Sequence, residues 1–223
     1  VAQTAVITGA AGRIGRAVAT RLEAEGWAVV RVGHTPPAAP LAERWAYAEL
    51  TEAQEVRALA ARLGDVDALV HCASRLRQAR VLDDDATQWR YDVALEAEAL
   101  HTLATAWIPG MRARGFGRVV AFGLAGLERW PGYQAITGHA VAKGSALLVA
   151  RALARATVGQ GITVNVVAPG VVGDGPGAAA LLDGHPPEDP AAIAAVVAFL
   201  LSDQARAVTG AIVPAGGPVG LGP

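Results

Sequence analysis

Ala5-Val6-Ile7-Thr8-Gly9-Ala10-Ala11-Gly12-Arg13-Ile14-Gly15 decides the fold, because strand, glycine-turn and helix signals follow one another within eleven residues. Val6 and Ile7 belong to a short β-branched run of the kind that makes a buried parallel strand. Gly9, Gly12 and Gly15 then recur at every third position, and Ile14, Val18 and Leu22 share one face of the helix that follows. In that setting each glycine has a reason. The first takes the tight turn out of the strand, the second admits a ligand to the backbone, and the third lets the helix pack on the sheet. Free N–H groups and the helix dipole then face an anion. Gly9, Gly12, Arg13, Ile14 and Gly15 are therefore candidate binding residues of a phosphate cradle.

Outward from this stretch the totals are those of a compact enzyme. A chain of 223 residues with 52% apolar and 17% charged residues buries a sizeable core, and no linker divides it, so one domain over 1–223 is expected. A net charge of -1 and a pI near 6.6 give no electrostatic footprint for nucleic acid or an anionic membrane. The single cysteine, Cys72, cannot form an internal disulfide, and no apolar run is long enough to span a bilayer. The expectation is a cytoplasmic protein acting on a small molecule. Among the 19 basic residues Lys143 is the only lysine, so that position stands out as one where arginine does not serve.

The remaining elements alternate. A helix over 13–25 leads to a strand over 28–32, a proline-rich loop, a short strand over 45–48, and a helix to Leu63 opened by a capping box, Thr51-Glu52-Ala53-Gln54. Strands over 68–72, 118–122, 163–167 and 211–214 follow, separated by helical stretches ending near Arg114, over 138–157, and over 190–201 behind an Asp189 cap. Such alternation predicts a single Rossmann-type α/β fold, a doubly wound parallel sheet with helices on both faces. Ligands bind beyond the carboxyl ends of its strands, where Gly9 to Gly15, His34, His71 to Ser74, Gly123 to Gly126 and Pro169-Gly170 all fall. The second strand ends in Gly33-His34-Thr35, with no acid to take a ribose 2′-hydroxyl. Arg13, His34 and Thr35 suit a 2′-phosphate better, which favours NADP(H) over NAD(H).

With these groups placed, the chain resembles the short-chain dehydrogenase/reductase family along nearly its whole length. Thr8 to Gly15 is similar to the family's glycine motif, with Arg13 where a glycine is common. Asn165-Val166-Val167-Ala168-Pro169-Gly170 is similar to the segment that touches the nicotinamide end, and Val208-Thr209-Gly210 with Pro214-Ala215-Gly216-Gly217 resembles the C-terminal signature. The resemblance implies a cofactor site that also includes Ala73, Lys143, Pro169 and Gly170. It implies, too, a homo-oligomer, a dimer or tetramer, built through the helices at 86–114 and 138–157.

The catalytic positions depart from the family. Its Tyr-x-x-x-Lys stands here as His139-Ala140-Val141-Ala142-Lys143, its serine falls on Gly123 or Leu124, and its asparagine on Ala94 or Glu96. Its Asn-Asn-Ala-Gly becomes His71-Cys72-Ala73-Ser74. His139 takes the place of the proton donor and Lys143 keeps the ribose, giving an NADP(H)-dependent carbonyl reductase with an atypical acid. Tyr133 is a second candidate for the missing phenol. Two further readings stand beside this one: a non-redox isomerase, dehydratase or cyclase with no nucleotide in the glycine turn, and an inactive partner subunit. A metal between His71 and His139 lacks a third ligand at suitable spacing, so no metal site is assigned. The short glycine-rich segment over 173–184 implies an open substrate pocket.

Overall fold

The computed structural model describes residues 2–34, 45–129, 132–172 and 187–216. Thr35, the proline-rich loop and the glycine-rich stretch over 173–184 lie outside these residues. The elements run β1 (Thr4–Thr8), α1 (Arg13–Ala24), β2 (Ala28–Gly33), β3 (Trp45–Tyr47), α2 (Ala53–Leu63), β4 (Ala68–His71) and α3 (Ala86–Val93). A π turn over Ala94–Glu98 joins α3 to α4 (Ala99–Arg114). Then come β5 (Gly117–Phe122), α5 (Thr137–Ala156), β6 (Ile162–Pro169), α6 (Pro190–Leu201) and β7 (Ile212–Ala215).

The seven strands form one parallel sheet in the order β3-β2-β1-β4-β5-β6-β7. Each strand alternates its side chains between two apolar layers, which is why the strands read as continuous apolar runs. On β1, Val6 packs with Leu59, Leu100 and Leu103 from α2 and α4, while Ala5 and Ile7 pack with Val18 and Leu22 of α1 and Ile193 and Val197 of α6. Burial of a side chain such as Leu22 or Ile193, each fully enclosed, contributes about 1.5–3 kcal/mol. The chain winds outward from β1 to β3, then returns to pair β4 on the other side of β1. That reversal opens a crevice at the carboxyl ends of β1 and β4, the place where an open α/β sheet binds ligands.

Two local readings of the sequence need correcting. The capping box at Thr51 does not form, because the Thr51 hydroxyl donates to Glu49 Oε1 at 2.8 Å and Glu52 caps the helix with its backbone alone. The stretch over 86–114 is helical, as expected, but the π turn interrupts it. By contrast, Asp189 caps α6 as read, accepting from the Ala191 amide at 2.8 Å.

Candidate active site

The glycine turn is built for close backbone approach. Gly9 has φ +63°, and a Cβ there would lie 2.7 Å from the Ala73 backbone; a Cβ at Gly15 would lie 2.5 Å from the Gly9 carbonyl oxygen. The first turn of α1 contains no acid, and its cap Gly12 supplies no side-chain acceptor, so its amides remain available to an anion. Beside it, at the crevice between β1 and β4, is a cavity of about 320 Å3. Gly9, Gly12, His34 and Ala73 line it, together with Gly33, Leu50, Ser74 and Tyr91. Gly15 is buried beneath the turn and Ile14 packs on the α1–α6 layer. Arg13 is exposed and borders a groove between α1 and α6. Glu49, which the reading of β2 missed, also lines the cavity, with Oε1 held by the Thr51 amide and hydroxyl.

A polar bridge crosses the floor of this crevice. The Thr8 hydroxyl lies 2.9 Å from His71 Nδ1 and accepts from the Ala73 amide at 3.2 Å. His71 Nε2 meets the Leu95 carbonyl at 3.0 Å, a group that can only accept. His71 therefore carries its proton on Nε2, and Thr8 donates to Nδ1. Burial lowers the His71 pKa to about 4, with Lys143 adding to the effect and the Leu95 carbonyl opposing it. Both nitrogens are in use, so His71 does not reach across to His139. Among the described residues no group of three His, Cys, Asp or Glu side chains is placed to hold a metal. Burial likewise pushes the Cys72 thiol up, which leaves it inert.

His139 and Lys143 lie one turn apart on the buried face of α5. His139 Nδ1 is 3.1 Å from the Arg75 carbonyl, so Nδ1 bears the proton and Nε2 is left with its lone pair. Burial first and then the Lys143 charge lower the His139 pKa to about 4. At neutral pH this imidazole is a base in its resting state rather than an acid. Lys143 Nζ donates to Glu96 Oε2 at 2.9 Å, with side-chain exposures of only 6% and 3%. The π turn carries Glu96 and frees the Leu95 carbonyl for His71. Burial raises the Glu96 pKa, against the pull of Lys143.

The other expected groups fall elsewhere. Gly123 follows β5, and a Cβ there would sit 3.0 Å from Val166 Cγ1, close enough that the Val166 side chain would have to give. Tyr133 donates to the Ala125 carbonyl and lines a groove with Thr137, Val141 and Leu148. Pro169 accepts from the Ala125 amide and Gly170 donates to Ala215, which places both at the carboxyl end of β6. A cluster that the sequence did not announce closes the crevice from the side. Arg75 pairs with Asp92 at 2.8 Å, donates to Gln88 and lies over the Tyr91 ring at 4.4 Å. Arg75 and Asp92 are seventeen positions apart, too far for a helix-spacing rule to link them.

A family model described as enoyl-(acyl carrier protein) reductase matches residues 9–217, from the first glycine of the cradle to the last strand's exit. The chain is a short-chain dehydrogenase/reductase. Among its relatives is acetoacetyl-CoA reductase of Allochromatium vinosum, 29% identical over 97% of this chain and 98% of that one. Another is the short-chain reductase protein NovJ of Streptomyces niveus, 34% identical over 75% of this chain and 68% of its own. A solved short chain dehydrogenase/reductase family protein superposes with a TM-score of 0.86 at 28% identity, covering 96% of this chain and 95% of that one. As a short-chain dehydrogenase/reductase the chain is an oxidoreductase, and none of its described helices is long and apolar enough to cross a membrane.

Proposed function

We infer that this oxidoreductase is NADP(H)-linked and interconverts a carbonyl and an alcohol, with His139 at the substrate oxygen and Lys143 at the cofactor ribose. The observation that carries the reading is the cradle: Gly9 and Gly15 occupy positions that a Cβ would fill, beside an uncapped helix N-terminus. A dinucleotide fits the cradle, with Gly9, Gly12, Arg13, Ile14, Gly15, His34, Ala73, Lys143, Pro169 and Gly170 as its binding set; Thr35, proposed from the sequence, lies outside the described residues. When bound, the nicotinamide supplies or accepts the hydride. Arg13 and His34, with no acid at the end of β2, support the 2′-phosphorylated form. His139 holds or takes the substrate proton at Nε2, and the Arg75 carbonyl fixes the ring that does so. The names of the relatives support a carbonyl substrate.

Calorimetric titration with NADPH and NADH tests this. Micromolar NADPH binding, weaker for NADH and weaker in Lys143→Ala, is the expected result, and a carbonyl screen follows from it. Absence of binding by either nucleotide ends the reading. The resting lone pair on His139 Nε2 favours a second one, a non-redox proton-transfer enzyme on the same scaffold. It would form product with no change in nicotinamide absorbance. In either case the helices at 86–114 and 138–157 are proposed to form a homo-oligomer, supported by Val141 and Leu148, 40% and 56% exposed on the outer face of α5.

A further inference from the structure

The Lys143–Glu96 pair occupies the same ammonium that the reading above gives to the ribose. Its geometry is that of a group held in reserve. Oε2 of Glu96 takes the lysine at 2.9 Å, while Oε1, also buried, makes no well-formed hydrogen bond, the Ser74 side chain lying near enough to favour the ionised carboxylate. Lys143 faces this carboxylate from α5, and His139, one turn before it, interacts with Lys143 rather than with Glu96. The turn before it contributes Asp92, bound by Arg75 and approached by Arg77, and the end of β4 contributes His71, Cys72 and Ser74. Lys143 is the cation that pairs with Glu96, and the Asp92 charge works against it. A carboxylate so enclosed stays ionised because an ammonium sits on it, and withdrawing that ammonium raises its affinity for a proton.

We propose that the pair is a latch on the nucleotide site: when Lys143 turns to a bound nicotinamide ribose, Glu96, left without its cation, takes up a proton from solvent. The step rests on the nucleotide reading of the site. One N–H···Oε2 hydrogen bond is lost and one N–H···O bond to a hydroxyl is gained. A proton from water adds to a carboxylate oxygen, no electron moves, and release of the nucleotide reverses the sequence. The bound form holds one proton more than the free form, so affinity falls as pH rises. Kd increases by up to about tenfold per pH unit between the Glu96 pKa of the free protein and that of the complex.

The test is calorimetry on the full chain with NADPH, in two buffers of different ionisation enthalpy, from about pH 6 to about pH 9. Wild type takes up close to one proton per nucleotide within that range, and Glu96→Gln takes up none and binds several-fold tighter, because an amide releases the ammonium more readily. The control 2′,5′-ADP lacks the nicotinamide riboside and binds wild type without the uptake. Its 5′-phosphate titrates near pH 6 where the diphosphate bridge of NADPH does not, so the two ligands are compared above about pH 8, where the phosphates of both are fully ionised, and the control keeps the test decisive if Glu96→Gln does not fold. Binding of NADPH with no proton uptake beyond that of 2′,5′-ADP overturns the latch while leaving the nucleotide reading intact. Absence of binding by both ligands overturns the nucleotide reading and the latch with it.

Discussion

At His139 a single main-chain contact sets the direction in which a proton moves most readily. With Nδ1–H on the Arg75 carbonyl and a pKa of about 4, only about one imidazole in a thousand is an imidazolium at pH 7. Carbonyl reduction through this residue should therefore fall about tenfold per pH unit above its pKa, while alcohol oxidation stays flat, and the two pH–rate profiles measured side by side check this. His139→Gln should lower kcat by about 10²–10⁴-fold with nucleotide affinity unchanged; an unchanged kcat would take His139 out of the chemistry. Gly9 poses a different constraint. Its positive φ and the Ala73 backbone 2.7 Å from any added Cβ mean that Gly9→Ala must move β1 and β4 apart. The expected result is a loss of about 1–3 kcal/mol in denaturant melts together with weaker nucleotide binding.

At the scale of elements, α3, the π turn and α4 act as one beam holding two charge clusters, Asp92 with Arg75 and Glu96 with Lys143. Removing one member of the buried pair strands the other. Lys143→Met should cost about 3–5 kcal/mol of stability, whereas Lys143→Met with Glu96→Gln should recover most of it, and urea melts of the three proteins form the cycle. Additive losses would mean that the pair is not energetically coupled. This element also marks the limit of what could be read from the chain. Val6, Ile7, Val119 and Val164 announce their strands because β-branched residues in short runs fit a sheet buried on both faces, and Gly9, Gly12 and Gly15 announce the turn by spacing alone. Lys143 drew attention as the lone lysine, yet its partner lies 47 positions away on a turn whose spacing is neither 3.6 nor 2. Thr51 misled for a related reason: Glu49, two residues back, captured the hydroxyl that a capping box requires.

Taken whole, the molecule carries its acid sensitivity in two enclosed histidines. The unfolded chain binds protons at His71 and His139 near 6.5 and the folded one only near 4, so unfolding is favoured by protons between those values. Stability from this source is complete above about pH 6.5 and is lost as pH falls toward 4, by about 3 kcal/mol for each histidine. Glu96, its pKa raised by burial, works the other way, favouring the folded state most strongly at low pH. A Tm series from neutral to acid pH should show the net decline, and His139→Gln should remove about half of the histidine contribution. The outer face of α5 governs assembly in the proposed oligomer. Leu148→Glu should yield monomers in sedimentation at unchanged Tm, and an unaltered sedimentation coefficient would place the interface elsewhere. Finally, a π turn is an α-helical turn with one residue too many. Deleting Ala94 or Leu95 would close this widened turn to a regular helical one and change the angle between Asp92 and Glu96 about the helix axis, so that the two could no longer both meet their partners. The length of this turn is thus as tightly bound to the site as the identity of the two carboxylates it aims.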